Sequence, residues 1–380
     1  MRKLAVLVFI DYQLGGIGTQ AVDFTRLARE HGFAADLITF TASKKPREAR
    51  EPGLAVARDG KGLELQACML SVHPERQGAS LSRLAEYDLR LWVGVAPHCK
   101  PGDQVYGFFE ATLRQLPGRN VAFATDRFVN DLYSWVIPHL HRFTCVTAFA
   151  DAYAATLRAH GIPVDVVPLA PLDAWDQRRL VLPSRKPRQL FWPHQWRGWK
   201  NISMFLESAG KLEVPEINVY ASGAGFEYSA FRRSDAYSDL VRSDRHNPSH
   251  FNPRGRLNLL GFVPHATVLQ AYRDHAATPD LTGISSKRHT ANSYVGNYQC
   301  ATLEAMCFGC AVLKMETTVA PYSAIPREAV AVLRAGAADY AAEMNVALRG
   351  GLDSAAEQAF AWIERSCDPY QLFGSIVGES

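Results

Sequence analysis

Tyr298-Gln299-Cys300-Ala301-Thr302-Leu303-Glu304-Ala305-Met306-Cys307-Phe308-Gly309-Cys310-Ala311-Val312-Leu313 is the stretch on which the reading of this chain turns. A polar lead-in enters a short helix whose first turn carries Thr302 and Glu304. Gly309 provides a small-residue exit, and Ala311 to Met315 reads as a buried strand. A loop-to-helix start presents backbone N–H groups without helical partners, at the positive end of the helix dipole. Amides for a phosphate and a carboxylate for a sugar hydroxyl can meet at such a start. An ordinary helix–strand junction uses the same backbone, so the rest of the chain must decide between the two.

Outward from that segment, strands and helices alternate. Leu4–Ile10 reads as a strand, followed by a glycine loop and a helix from about Thr19 to His31, with Gly32 where a C-cap belongs. Ala35–Phe40, Leu89–Val95, Asn120–Ala124, Cys145–Thr147 and Val164–Val167 continue the strand series. Lys44 to Gly62, rich in charge and glycine, reads as a loop or irregular insertion. After a proline-dotted linker, Pro163 to Pro187, a second series follows: Gln189–Trp192, Ile217–Ala221, Asn258–Leu260, Ala276–Leu281 and Ala311–Met315, with helices such as Ser203–Leu212 and Ala266–Arg273 between them. The βα alternation predicts α/β architecture with doubly wound parallel sheets, in two similar halves.

The size permits this. The 380 residues and 42.1 kDa suffice for two domains with a full core each. A hydrophobic fraction of 47% and a charged fraction of 21% are those of a soluble globular protein. A net charge of +3 and a pI near 8.4 are compatible with nucleic acid and equally with an acidic sugar-nucleotide. Seven cysteines are an odd number with a single C-x-x-C pair, Cys307 and Cys310, and no second pair to complete a site; they suggest neither a disulfide framework nor a zinc site, so a reducing cytoplasm is the simplest home. Met1-Arg2-Lys3 and the apolar run behind it imitate a signal peptide, but Asp11 ends the run before any cleavage site. No window reaches the length of a membrane span.

Gly15-Gly16-Ile17-Gly18-Thr19 opens the first helix, and Gly16 and Gly18 let backbone amides approach a phosphate or sugar closely. Gly16-x-Gly18-x-x-Ala21 also meets the dinucleotide fingerprint of a dehydrogenase. Against that stand the residues Asp11 to Leu14 between strand and glycine, and the lack of an acidic residue after Phe40. His194-Gln195-Trp196-Arg197-Gly198-Trp199-Lys200-Asn201 follows the first strand of the second half. There Arg197 and Lys200 suit a pyrophosphate, the alternative being a solvated cation pair. Asp126 ends an apolar strand and can serve either as a base for an acceptor hydroxyl or as a helix N-cap. His98 ends another strand, as a ligand residue or a surface histidine. From Gly225 to Arg256, Arg232, Arg233, Arg242 and Arg245 alternate with aromatic residues, a mixture suited to phosphate contact and base stacking or to a solvated loop. Lys287 and Arg288 form a second basic cluster. No D-x-D pair is present, so an obligatory metal is not signalled.

The 298–313 segment resembles the donor-binding element of GT-B glycosyltransferases of the family-4 type, which end it with L-E-A-M, a small residue, G and an apolar strand. Those enzymes clamp the donor diphosphate with an Arg and, five residues on, a Lys. Lys200 takes the lysine's place here, Gln195 the arginine's, and Arg197 is the nearby substitute. Gly296 stands where the first carboxylate of E-x7-E would be. Phage DNA α-glucosyltransferases are the nearer resemblance. Their segment reads as a carboxylate, three residues, then L-E, matched by Gln299 and Leu303-Glu304. A tryptophan-lysine pair matches Trp199-Lys200 and a serine-lysine pair Ser286-Lys287. A His-Asp at a strand end on the acceptor side matches Thr125-Asp126.

The resemblance implies a GT-B fold of two Rossmann-like domains facing a cleft, with residues 1–175 for the acceptor and 188–355 for the donor. It also implies that 356–380, including a helix at Ser354–Arg365 and a tail at Pro369–Val377, crosses back onto the first domain. The implied donor is a nucleotide-sugar, a UDP-sugar first, bound by Gly16, Gly18, Arg197, Lys200, Gln299, Thr302, Leu303 and Glu304. Asp126 and His98 are the implied catalytic residues, and the product retains anomeric configuration. The implied acceptor is a hydroxymethylated pyrimidine in DNA, with Arg232, Arg233, Arg242, Arg245, Lys287 and Arg288 on the nucleic acid. A transferase for bacterial cell-envelope saccharide or lipid, and a non-catalytic sugar-nucleotide or nucleic-acid binding protein, are the alternatives.

Overall fold

In the computed structural model, placement is described for residues 1–8, 16–41, 54–58, 64–94, 102–124, 136–194, 205, 208, 211–214, 216–220, 256–261, 265–281, 300–315, 324–334 and 339–378. The chain divides into two compact units, Met1–Asp173 with Cys367–Ser380, and Ala174–Ser366.

The first unit is built on one sheet. Its elements are β1 (Lys3–Val8), α1 (Gly16–Glu30), β2 (Ala34–Thr41), β3 (Leu54–Arg58), β4 (Glu64–Ser71), α2 (Pro74–Leu84), β5 (Leu89–Val93), α3 (Gln104–Gln115), β6 (Arg119–Ala124), α4 (Ile137–Leu140), β7 (Cys145–Ala148), α5 (Asp151–Ala159) and β8 (Asp165–Val166), with α6 (Leu172–Asp176) at the junction. The strand order is β3-β4-β2-β1-β5-β6-β7-β8, and every pairing is parallel except β3 with β4. Strands covered on both faces must be apolar almost throughout, which is why Leu4 to Val8 and Leu89 to Val93 are buried without alternation. The α1 helix buries Ala21, Phe24, Leu27 and Ala28, a helical spacing on one face. Gly32, at φ 82°, closes it as expected, the Phe33 N–H reaching back to the Ala28 carbonyl.

Three expectations are corrected. Gly16 and Gly18 lie inside the first turns of α1 rather than in a loop before it, where an N–H has no helical partner in any case. The irregular insertion expected over 44–62 contains β3, which pairs antiparallel with β4 at the sheet edge. The apolar run Leu54-Ala55-Val56-Ala57 and an Asp59-Gly60 pair were the strand and turn signals in the sequence, but the surrounding charge obscured them. The chain returns to the first unit at Cys367, not at 356. The helix expected to cross back, α10 (Asp353–Ser366), belongs to the second unit, and only α11 (Pro369–Val377) belongs to the first. Asp368 caps α11 through the N–H groups of Tyr370 and Gln371. Arg119 of β6 donates to the carbonyls of Val377 and Gly378 at its other end, where a cation suits the dipole.

The second unit comprises β9 (Gln189–Trp192), β10 (Glu216–Tyr220), β11 (Arg256–Gly261), α7 (His265–Asp274), β12 (Ala277–Asp280), α8 (Cys300–Cys307), β13 (Ala311–Met315), β14 (Ala331–Leu333), α9 (Tyr340–Arg349) and α10. All described pairings are parallel, in the order β11-β10-β9-β12-β13-β14. Counted from β9, this is the 3-2-1-4-5-6 winding of dinucleotide-binding sheets. Leu190, Trp192, Phe205, Ile217, Leu313 and Met344 form its core. Of the helix expected over Ser203–Leu212, Phe205 and Ser208 are helical and buried, whereas Lys211 and Leu212 are not helical, so the helix ends before Lys211. The winding reverses between β9 and β12. In such sheets the crevice beyond the carboxyl ends of those two strands takes the ligand.

Candidate functional site

The α8 helix runs from that carboxyl edge back across the sheet, and its local sequence explains its limits. Within Cys300 to Cys307, Ala301 and the run Leu303 to Met306 are good helix formers. The helix ends because Gly309 adopts φ 61°, while the Cys310 N–H reaches the Ala305 carbonyl. A Cβ at Gly309 would lie 2.6 Å from the Val181 carbonyl oxygen, so no other residue fits there without displacing the backbone.

The first turn of α8 is fixed from below by a buried ionic group. Asp280, at the end of β12, accepts hydrogen bonds at one oxygen from the Lys314 ammonium at 2.8 Å and the Thr302 hydroxyl at 2.9 Å. Both charged side chains are 1% exposed. A carboxylate and an ammonium so far from water persist only when paired. The Thr302 hydroxyl is thus engaged inside the protein, and Leu303 is core, so neither side chain is available to a ligand. At the neighbouring strand end, buried His194 directs Nε2 to the Pro279 carbonyl oxygen at 3.2 Å, and its ring meets Trp192 edge-on.

Glu304 has a different environment. It is 6% exposed, and its Oε1 lies 2.8 Å from Nε2 of His265, the first residue of α7. The wholly buried Tyr272 hydroxyl stands near the same carboxylate without a well-formed hydrogen bond. Burial first, and then the Glu304 charge, push the Tyr272 phenol well above its ordinary range, and the same two causes raise the Cys307 thiol. Both groups therefore remain neutral around the carboxylate. Beyond it, Lys186 donates to the carbonyls of Tyr272 (3.0 Å) and Phe308 (2.8 Å), joining the C-terminal ends of α7 and α8 with one buried cation.

Of the residues singled out in the sequence, Thr302, Leu303 and Glu304 are therefore placed at the switch-point edge, and Gly16 and Gly18 at the start of α1. Asp126, His98, Arg197, Lys200, Gln299, Arg232, Arg233, Arg242, Arg245, Lys287 and Arg288 lie outside the described residues. In sequence, Arg197 and Lys200 follow the end of β9 and Asp126 follows the end of β6. His265, Tyr272, Asp280, Lys314 and Lys186 escaped the sequence reading. The pair Asp280 and Lys314 carried a signal: opposite charges set into two successive apolar strands must neutralise each other if both strands are buried. Among the described residues no group of three or more His, Cys, Asp or Glu side chains could hold a metal ion, the cysteines are free thiols, and no helix is long and apolar enough to cross a membrane.

No protein-family model matches the chain, and no curated protein matches it in sequence. Solved structures do resemble it along its length. An alpha-glucosyltransferase in complex with UDP and a 13-mer DNA containing an HMU base is similar with a TM-score of 0.66 at 10% identity, covering 99% of each chain. An alpha-glucosyltransferase in complex with UDP-glucose and DNA containing an abasic site gives a TM-score of 0.62 at 10% identity, covering 99% of this chain and 97% of that one. Anabaena HepE in complex with UDP-glucose gives 0.64 at 12% identity, covering 100% and 99%. At these identities the likeness establishes the fold, and the fold is GT-B, as the 298–313 segment led us to expect.

Proposed function

We propose that this chain is a glycosyltransferase that moves a sugar from a UDP-sugar donor, with retention, onto a hydroxymethylated pyrimidine in DNA. The observation that carries the proposal is the Glu304 carboxylate, nearly buried in the first turns of a helix that starts at the switch point of a 3-2-1-4-5-6 sheet. A cell interior holds few ligands that want both a carboxylate for hydroxyls and helix-start amides for phosphate, and a nucleotide-sugar is one. Support comes from the UDP and UDP-glucose in the similar structures, and from the DNA in some of them.

In this reading the second unit, over about 188–355, holds the donor. Glu304 accepts hydrogen bonds from ribose or sugar hydroxyls, with Gln299 and the backbone of Thr302 and Leu303 beside it. Arg197 and Lys200 face the diphosphate, where they stabilise charge as it departs with the leaving group. The first unit, over about 1–175, serves the acceptor. Asp126 positions or deprotonates the acceptor hydroxyl, His98 assists, and Gly16 and Gly18 offer backbone amides to a phosphate or sugar. A base within a duplex has to be extruded before it can react. Arg232, Arg233, Arg242, Arg245, Lys287 and Arg288 hold the surrounding phosphates.

The test is transfer of labelled sugar from a panel of UDP- and GDP-sugars to hydroxymethylated and to plain DNA, at several salt concentrations. We expect label only on hydroxymethylated DNA, and an affinity that falls steeply with salt as cations on phosphates release counterions. Replacing Arg242 and Arg245 with glutamine should flatten that slope. Salt-independent transfer to a saccharide would move the acceptor from DNA to carbohydrate. An absence of turnover with every donor and acceptor would reduce the chain to a binding protein.

A further inference from the structure

Burying a carboxylate removes its water, so a buried glutamate needs a donor that restores part of the loss. Among the described residues Glu304 makes one side-chain hydrogen bond, and its partner His265 comes from another helix. The carboxylate has no proton to give, so imidazole Nε2 carries the hydrogen, in the neutral Nε2–H tautomer or in the imidazolium. At their far ends α7 and α8 are already joined, because Lys186 donates to Tyr272 and Phe308. The His265–Glu304 contact joins the first residue of α7 to the middle of α8. With the helices tied at both places, the carboxylate has a set position and orientation.

We propose that His265 is a positioning residue of the donor site: through the 2.8 Å contact it holds the Glu304 carboxylate in the orientation that accepts the two vicinal hydroxyls of a nucleotide ribose. The proposal rests on the reading of Glu304 as a donor-site carboxylate. An ionised carboxylate has about four acceptor positions. His265 occupies one on Oε1, so the carboxylate cannot swing about its final bond, and two adjacent hydroxyls find acceptors already aimed. His265 itself is 39% exposed, and the contact restricts its rotamers as well. Its role is to orient Glu304; it touches neither the sugar nor the bond that breaks.

Titration calorimetry of the full chain with UDP and with 2′,3′-dideoxy-UDP tests this. His265→Ala should weaken UDP binding about 5- to 30-fold, the effect of one or two kcal/mol on an equilibrium, and leave dideoxy-UDP unchanged. His265→Gln, whose amide can still donate to the carboxylate, should recover part of the loss. In turnover, His265→Ala should raise the donor KM and leave kcat near its starting value. In a cycle with Glu304→Gln, the double variant should bind UDP no worse than Glu304→Gln alone. Equal losses for both nucleotides, or no loss for either, would overturn the positioning role while leaving the donor site standing. If the unaltered chain binds UDP no better than dideoxy-UDP and Glu304→Gln changes nothing, the donor-site reading fails, and this proposal with it.

Discussion

Replacing Lys314 with methionine is the sharpest structural perturbation available in the second unit. The ammonium lies 2.8 Å from Asp280 Oδ2, and both side chains are 1% exposed. Methionine fills much of the same space, so the loss is electrostatic and little cavity forms. The Asp280 carboxylate stays buried without this cation, with the Thr302 hydroxyl still donating to it. Breaking one side of a buried pair costs about 3–5 kcal/mol. In a unit the size of Ala174–Ser366, that corresponds to roughly 6–20 °C in the midpoint of its thermal transition, at about 2–4 °C per kcal/mol. Urea titration followed by circular dichroism should show a lower midpoint with an unchanged slope. The second arm is Asp280→Asn combined with Lys314→Met. It removes both charges and keeps an acceptor for Thr302, so it should be markedly more stable than Lys314→Met alone. The reasoning also reaches the site, because Thr302 anchors the first turn of α8 and Glu304 follows it; donor affinity should fall in Lys314→Met and return in the double variant. A Lys314→Met protein within about 1 kcal/mol of the original, the value of an exposed pair, or a double variant as unstable as the single one, would refute the argument.

Gly309→Ala should cost about 1–3 kcal/mol, since alanine resists a positive φ and its Cβ would lie 2.6 Å from the Val181 oxygen; an unchanged urea midpoint would contradict this. His139 in the first unit accepts or donates at Nε2 to the Tyr106 hydroxyl at 2.7 Å, and burial holds its pKa below the ordinary 6.5, with Glu110 opposing in part. The unfolded chain therefore takes up this proton first: the contribution is whole above about pH 6.5 and erodes as the pH falls below it. His139→Gln should make the urea midpoint fall less between pH 7.5 and 5.5, and parallel slopes would dismiss the effect. Asp126→Asn should lower turnover by roughly 10²–10⁴-fold with donor affinity unchanged if the carboxylate serves the acceptor hydroxyl; near-normal turnover would instead assign it to helix capping.

Much of the fold was legible because continuous apolar runs such as Leu4 to Val8 and Val121 to Ala124 have one stable setting, a parallel sheet covered on both faces. The helix-then-strand order of 300–315 was legible for a related reason: Gly309 ends the helix where only glycine fits. Other features depend on tertiary contacts that local sequence does not encode. Leu54–Arg58 becomes a strand because β4 offers it a partner, although its own surroundings are charged. The last boundary lies at Cys367 because α10 packs within the second unit, whereas α11 finds Arg119 and Phe24 in the first. At the candidate site, Glu304 was singled out through its motif. His265 was not, because nothing in a sequence says that residues 39 positions apart share a hydrogen bond. Thr302 read as a ligand residue because of its place in the helix, and the buried Asp280 that engages its hydroxyl could be inferred only from the charge set into β12.

Calorimetric titration of UDP-glucose into the unaltered chain and into Glu304→Ala tests the central claim most directly. We predict saturable binding to the unaltered chain. For the variant, whose folding is checked by its urea midpoint, we predict a loss of about 1.5–3 kcal/mol, or roughly 10- to 150-fold in Kd, the range for hydrogen bonds to a charged group. Absence of binding, or equal affinity in both proteins, would contradict the assignment of the α8 edge as a nucleotide-sugar site.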